Sequence, residues 1–353
     1  MRAAVFYKAF DIRTETLPDP TPQEDEVVVQ VKACGFCGSD VEYYYGRSPV
    51  GTATGEGPLV LGHEFAGEVV DVGSAARGLF KAGDRVAVNP IQSCGACDEC
   101  RAGRPQFCQN ISVLGVTKNG GFAEYTTSKM QHLYKLPEEL SYATGAFVEP
   151  LAASVNAVDK LDVQPGSYVV IFGPGPMGLA MVQLTRNLGA SQVVMVGTND
   201  ERLEAAKELG ATGLINTRDT DSPYYASDVA EGVRNLGGGY LADRAIVPTS
   251  SLQAHEDALR VTGNGAVVVL LGVTGPEDNL SVPLLTSLLQ DKTIRFSLWY
   301  PNKWPKTIRL LAQHGVSAER LITHKDSLEN IGSAIKRLVE RKDGVLKTVI
   351  SPS

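Results

Sequence analysis

One set of side chains within residues 1–150, Cys37, His63, Glu64 and Glu149, has the types that could share a metal. Cys37 stands in Cys37-Gly38-Ser39-Asp40, His63 and Glu64 in Leu61-Gly62-His63-Glu64-Phe65-Ala66-Gly67, and Glu149 in Val148-Glu149-Pro150. Thiolate, imidazole and carboxylate are the ligand types of zinc, and a catalytic zinc keeps one coordination position open for water or substrate. Neighbouring residues of a regular strand point to opposite faces, so His63 and Glu64 share one ion only where the backbone is irregular. The glycines on both sides permit that irregularity. A surface turn is the alternative reading of the His-Glu pair alone.

A second group is denser. Cys94, Cys97, Cys100 and Cys108 form a C-x2-C-x2-C-x7-C cluster. In a chain whose thiols stay reduced, this spacing reads as a metal site rather than as disulfides. Four thiolates leave no open position, which makes a structural zinc site. A redox role for the C-x2-C pairs is the competing reading. Cys34 reads as a small buried hydrophobe.

A third group is glycine-rich. Gly173-Pro174-Gly175-Pro176-Met177-Gly178 fits G-x-G-x-x-G, follows the apolar run Tyr168-Val169-Val170-Ile171-Phe172 and opens a helical pattern. In that context the first glycine makes a tight turn, the second lets a pyrophosphate approach the backbone, and the third packs helix on strand. The helix N-terminus adds unpaired N–H groups for the phosphates. A flavin uses the same fingerprint; the metal set favours a nicotinamide.

The elements that position these groups fall into two textures. Residues 1–150 read as mainly β, with strands at 26–33 and 65–72 and a turn leading into a third within 81–88, among Gly- and Pro-rich turns, which suggests a barrel-like domain. From residue 151 strands and helices alternate: a helix at 151–160, then strand 167–172, helix 177–188, strand 192–196, helix 201–209, and later strands at 213–216, 244–247 and 266–271. This predicts a doubly wound parallel sheet with helices on both faces. Beyond about residue 290 the alternation stops.

These motifs, in this order, resemble the zinc-dependent medium-chain alcohol dehydrogenases, most closely the sorbitol (polyol) dehydrogenase branch. Gly62-His63-Glu64, Gly67 and Gly73 carry the zinc signature, and the resemblance runs over essentially the whole chain. It implies an α/β protein with a GroES-like catalytic zinc-binding domain at 1–150, completed by 291–353, and a Rossmann dinucleotide-binding domain at 151–290. It implies that Cys37, His63 and Glu64 ligate the catalytic zinc, with Glu149 beside it as an occasional ligand or a partner of zinc-bound water. Ser39 matches the first proton-relay hydroxyl and Asp40 the carboxylate that orients the ligating imidazole. The relay histidine found five residues past the cysteine in many relatives is Glu42 here. The four-cysteine lobe then braces subunit contacts and takes no part in chemistry, in a homo-oligomer, tetramer or dimer.

For the cofactor, the resemblance points to Gly173, Gly175, Pro176, Met177, Gly178, Gly197, Thr198, Asn199 and Arg202. NAD-dependent relatives carry an aspartate where Gly197 stands, and the glycine is expected to leave room for a 2′-phosphate, so NADP(H) is favoured over NAD(H). Leu298-Trp299-Tyr300-Pro301-Asn302-Lys303-Trp304-Pro305 resembles a tract of sorbitol dehydrogenases at Tyr300, Asn302, Trp304 and Pro305, with Trp299 replacing a polyol-contacting arginine. Tyr43 matches a substrate-contacting tyrosine. The tryptophans could stack on a sugar or cyclitol ring or pack at a boundary.

The expected function is therefore zinc-dependent hydride transfer between NAD(P) and a secondary alcohol of polyol, cyclitol or sugar-alcohol type, with two zinc ions per chain. Threonine or glucose dehydrogenases of this kind are the alternative, then a zinc-less reductase or binding protein of the same fold, then a zinc-ribbon interaction protein. Composition agrees with a soluble enzyme: the 353 residues are 43% hydrophobic and 21% charged, with a net charge of −7. The acidic balance counts against a nucleic-acid partner. No apolar stretch nears the ~20 residues of a membrane span, and the first residues lack a signal peptide's apolar core. The cytoplasm is the expected location, with a small alcohol as partner.

Overall fold

Val27, Val28, Val29 and Val31 give residues 26–35 the β-branched density that suits a half-buried pleated chain. In the computed structural model they form the strand Glu26–Gly35, the spine of the first of two units. The structure describes residues 1–48, 50–341 and 344–352. Glu64–Val72 pairs antiparallel along the spine, with register shifts after Val28 and Val31. Such shifts bend a strand. Tyr125–Lys129 then pairs with residues 26–30 and Lys347–Ser351 with Cys34 and Gly35. The full path of the sheet runs Leu133–Lys135, Arg85–Val88, Glu64–Val72, Glu26–Gly35, Lys347–Ser351, Ile322–Ser327. Val27, Val29, Val31, Phe65, Val69, Val86 and Val88 fill its interior, joined by Ile331, Ala334 and Ile335 from the helix Ile331–Glu340. The C-terminal segment is thus part of this unit, which comprises Met1–Pro150 and Pro301–Ser353.

The second unit, Leu151–Tyr300, holds a six-stranded parallel sheet. Its strands lie in the order Gly213–Asn216, Gln192–Gly197, Tyr168–Phe172, Ala242–Val247, Thr262–Leu270, Thr293–Phe296. The order reverses beside Tyr168–Phe172, and such a switch point is where open α/β sheets bind ligands. That strand is buried at every position, as expected when both faces are covered by helices. The expected α/β class with a doubly wound sheet and a mainly β unit is the one observed.

One boundary differs from the sequence expectation. Residues 293–296 add the sixth strand, so this unit extends to Tyr300 rather than ending at 290. The strand lies at the sheet's edge, and Thr293, Arg295 and Phe296 are exposed. It therefore lacks the apolar run by which its buried neighbours announce themselves. No helix among the described residues is long and apolar enough to cross a membrane.

Candidate metal and cofactor sites

Cys37 is the N-cap of the short helix Gly38–Tyr44. Asp40, in the first turn, reaches back so that its Oδ2 accepts the Cys37 N–H at 2.9 Å. The other oxygen, Oδ1, accepts the Gly62 N–H at 3.3 Å and lies 3.5 Å from His63 Nδ1. One fully buried carboxylate thereby ties the cysteine turn to the histidine turn. Gly62 has φ +87°, and a side chain there would meet Cys34 and Phe122 at 2.8 Å. Only glycine makes this turn, which delivers His63 and then Glu64, first residue of the strand Glu64–Val72.

The ligand atoms of Cys37, His63 and Glu64 all lie within 4.8 Å of one another. Burial opposes charge on His63, but the Asp40 and Cys37 charges prevail and lift its pKa well above the ordinary imidazole value. A metal cation would replace that proton. Glu64 is held by Lys347, whose ammonium donates to Oε1 at 2.6 Å and to the Phe36 carbonyl at 2.7 Å. The same nitrogen stands 2.5 Å from Oε2 at ion-pair distance, yet Oε2 receives no hydrogen bond of good geometry. Burial works to discharge Lys347, but Glu64 and Cys37 outweigh it and raise its pKa. A Cβ on Gly35 would come within 2.3 Å of Glu64 Oε2, so the missing side chain makes room for this carboxylate. A thiolate, an imidazole and a buried, under-bonded carboxylate oxygen fit zinc, with a position left for an exchangeable ligand.

Glu149 is not among the atoms grouped within 4.8 Å. It occupies the first turn of the helix Val148–Leu161, and its charge acts on Lys347. Ser39 is half-buried in the first turn after Cys37. Tyr43, on the same helix, feels the charges of His63, Asp40 and Cys37, and burial pushes its phenol up. Glu42 is tied to Arg47 by two contacts of 2.9 Å, and both side chains are about half exposed. Trp304 is 1% exposed and stacks on Tyr134 with ring centroids 5.2 Å apart; it is a packing residue. Trp299 has φ +46°, and its carbonyl accepts the Asn156 amide at 2.9 Å. Lys347 is the residue the sequence reading missed. It is 283 positions from Glu64, and no local pattern marks it.

Sulfur atoms of Cys94, Cys97, Cys100 and Cys108 form the other group within 4.8 Å. Backbone N–H groups already point at them: Ala96 and Cys97 donate to Cys94 Sγ at 3.5 and 3.4 Å, and Cys94 and Asn110 donate to Cys108 Sγ at 3.3 and 3.4 Å. The Ala96 and Cys97 amides hold the Cys94 thiol down, to about 6. Burial first, and then the neighbouring sulfurs, push Cys100 up to about 12. Four sulfurs this close repel as thiolates, and a divalent cation relieves that repulsion. All six cysteines are free of disulfides.

In the second unit, Gly173 has φ +99° and donates its N–H to Val196 O at 2.8 Å, which pins the turn after the first strand to the second strand. A Cβ on Gly178 would lie 2.1 Å from Gly173 O, so the helix Pro176–Asn187 packs directly on the turn. A Cβ built on Gly175 would meet nothing within 4 Å beyond its chain neighbours. The helix starts at Pro176, with Gly175 as its N-cap. The turn thus leaves backbone N–H groups at a helix N-terminus, chemistry that suits an anionic phosphate. Gly197 ends the second strand, but the space its side chain would take is filled by the Pro174 ring, 2.7 Å away, instead of being open. Asn199 caps the helix Asp200–Glu208, its Oδ1 accepting the Arg202 N–H at 3.0 Å. Asp200 Oδ1 accepts from Asn216 at 2.6 Å and Ser222 at 2.8 Å.

Known proteins resemble both halves of the chain. Residues 23–138 match the family model of the alcohol dehydrogenase GroES-like domain, and residues 176–313 that of the zinc-binding dehydrogenases. Sorbitol dehydrogenase of Bacillus subtilis is 34% identical over 356 aligned positions, covering 100% of this chain and 98% of the relative. A zinc-binding dehydrogenase from Sinorhizobium meliloti, solved bound to NADP, superposes with TM-score 0.90 at 30% identity, covering 100% and 99% of the two chains. The RspB alcohol dehydrogenase from Escherichia coli CFT073, complexed with NADH, gives TM-score 0.89 at 29% identity over 99% of each chain. The chain belongs to the zinc-dependent medium-chain alcohol dehydrogenases, in their sorbitol dehydrogenase-like branch, an enzyme class that moves hydride between an alcohol carbon and a nicotinamide.

Proposed function

We propose that the chain interconverts a secondary alcohol of polyol, cyclitol or sugar-alcohol type and its ketone, with NADP(H) preferred over NAD(H). The observation that carries this reading is the convergence of Cys37, His63 and Glu64 within 4.8 Å, in a chain aligned end to end with a sorbitol dehydrogenase. Residues 1–150 with the C-terminal segment are assigned the catalytic role, and the parallel-sheet unit the dinucleotide.

Cys37, His63 and Glu64 would hold the catalytic zinc, with Glu149 nearby, and the four cysteines a structural one. A zinc held at the first site would supply Lewis acidity that lowers the pKa of the alcohol. Asp40 orients the imidazole and keeps the cysteine turn in register with it. Lys347 fixes the Glu64 carboxylate. Ser39 takes the proton that leaves the alcohol. Glu42, half exposed and paired with Arg47, hands it to solvent at most. Tyr43 presents a phenol to substrate hydroxyls. In the other unit Gly173 to Gly178 cradle the pyrophosphate, and Gly197, Thr198, Asn199 and Arg202 border the adenosine ribose. Asp200 sits beside that border, but Asn216 and Ser222 both donate to its carboxylate. This tempers its repulsion of a 2′-phosphate, which carries roughly −1.5 to −2 charge at neutral pH.

A homo-oligomer is favoured by the apolar face at the edge of the parallel sheet, where Leu284, Leu285, Leu288, Leu289 and Phe296 are each at least 70% exposed. Six free cysteines suit a reducing compartment, the cytoplasm. The test is a panel of polyols, cyclitols, threonine and glucose offered to the purified, zinc-loaded protein with each nicotinamide, read by cofactor absorbance. Fastest turnover with a polyol or cyclitol is expected. Turnover confined to threonine or glucose would select the alternative, and none with any alcohol would overturn the reading.

A further inference from the structure

Gly197 lies outside the set of positive-φ residues, so its backbone accepts any L-residue. What requires glycine is a neighbour. A Cβ built there stands 2.7 Å from both Cγ and Cδ of Pro174 and 3.2 Å from Leu203 Cδ2. The leucine methyl ends a flexible side chain and can move. The proline ring cannot, because the Gly173 N–H bonds Val196 O at 2.8 Å and the helix begins two residues later at Pro176. Pro174 and Gly197 therefore constrain each other across the turn and the end of the second strand.

We propose that Pro174 is a specificity-determining residue for the dinucleotide: its ring excludes any side chain, and so any carboxylate, from position 197. Cofactor choice then belongs to the pair 174/197 and not to position 197 alone. This rests on reading Gly173 to Gly178 as the pyrophosphate cradle beside the adenosine ribose. With an acidic residue excluded, nothing at 197 chelates a ribose diol or repels a 2′-phosphate. Both clashing atoms belong to the proline ring and are absent from alanine, so Pro174→Ala opens the space.

The experiment is a double-mutant cycle on the zinc-loaded enzyme with Pro174→Ala, Gly197→Asp and their combination, and a parallel cycle with Gly197→Ala. Thermal midpoints are recorded, and NADPH and NADH are titrated by nicotinamide fluorescence. Gly197→Ala alone is expected to lower Tm, although glycine within a strand is ordinarily the weaker residue. Adding Pro174→Ala should restore most of that loss. Gly197→Asp alone should weaken both cofactors. The combination should regain Tm and move the NADPH:NADH affinity ratio towards NADH by about tenfold or more, one decade being the step that a single interaction readily supplies. Additive Tm losses in both cycles would overturn the proposal. So would Gly197→Asp alone keeping the wild-type Tm while shifting the ratio as far as the combination. If Gly197→Asp fails to fold, the Gly197→Ala cycle decides. A wild-type preference for NADH would refute the NADP(H) reading, while the Tm coupling would still report on the 174/197 pair.

Discussion

Glu64 and Lys347 have side chains 1% and 6% exposed and meet at 2.5–2.6 Å. Removing one member of such a buried pair typically costs about 3–5 kcal/mol, because the other charge is left without its partner. In zinc-free protein Lys347→Met should therefore lower the thermal midpoint by on the order of 10 °C, at a few degrees per kcal/mol for a unit of this size. It should also weaken metal retention at Cys37 and His63, read as zinc content after dialysis. A variant with wild-type Tm and zinc would show that the pair is incidental. The adjoining ligands give a sharper contrast. Cys37→Ala or His63→Ala should abolish turnover yet leave about one zinc per chain at the cysteine lobe, since the two groups share no residue. Within the helix Gly38–Tyr44, Ser39→Ala should cost far more turnover across pH than Glu42→Gln. Glu42 is about half exposed and paired with Arg47, where water can stand in for it. Equal losses in the two variants would contradict the assignment of the first proton acceptor.

At the scale of elements, the cysteine lobe stands apart from the hydrophobic core. Its helix Asp98–Arg101 buries no residue, and only Cys108 of the four ligand candidates is buried. Its order depends on the sulfur cluster, so Cys97→Ala or chelation should lower the thermal midpoint before it lowers kcat measured on the remaining folded enzyme. Spacing made this lobe legible from the sequence, because four cysteines within one loop carry their own geometry. The Gly173–Gly178 turn was legible for the same reason. The edge strand Thr293–Phe296 was not, since its exposed residues follow no buried-strand pattern.

Across the whole molecule, legibility ends where partners are distant in sequence. The pairing of Lys347–Ser351 with Cys34 and Gly35 and the placing of Lys347 on Glu64 join residues from opposite ends of the chain. The C-terminal return was expected only through resemblance, because no periodicity encodes which strand a segment will find. Surface apolarity, by contrast, is a property the fold reveals. The helix Leu284–Leu289 carries four leucines exposed by 70–78%, and Phe296 on the neighbouring edge strand is 72% exposed. A helix apolar on most sides is normally covered, and an edge strand with free backbone groups invites another chain. Two copies related by a two-fold axis can present this patch to itself, as an isologous interface requires. Burying each leucine would contribute about 1.5–3 kcal/mol. Wild-type protein in sedimentation equilibrium should thus have at least twice the chain mass. Leu285→Asp with Leu288→Asp should weaken self-association by at least about thirtyfold, the weight of one interface hot spot, without unfolding the sheet by circular dichroism. A monomeric wild type, or a double variant that keeps the wild-type mass, would remove this face from the assembly.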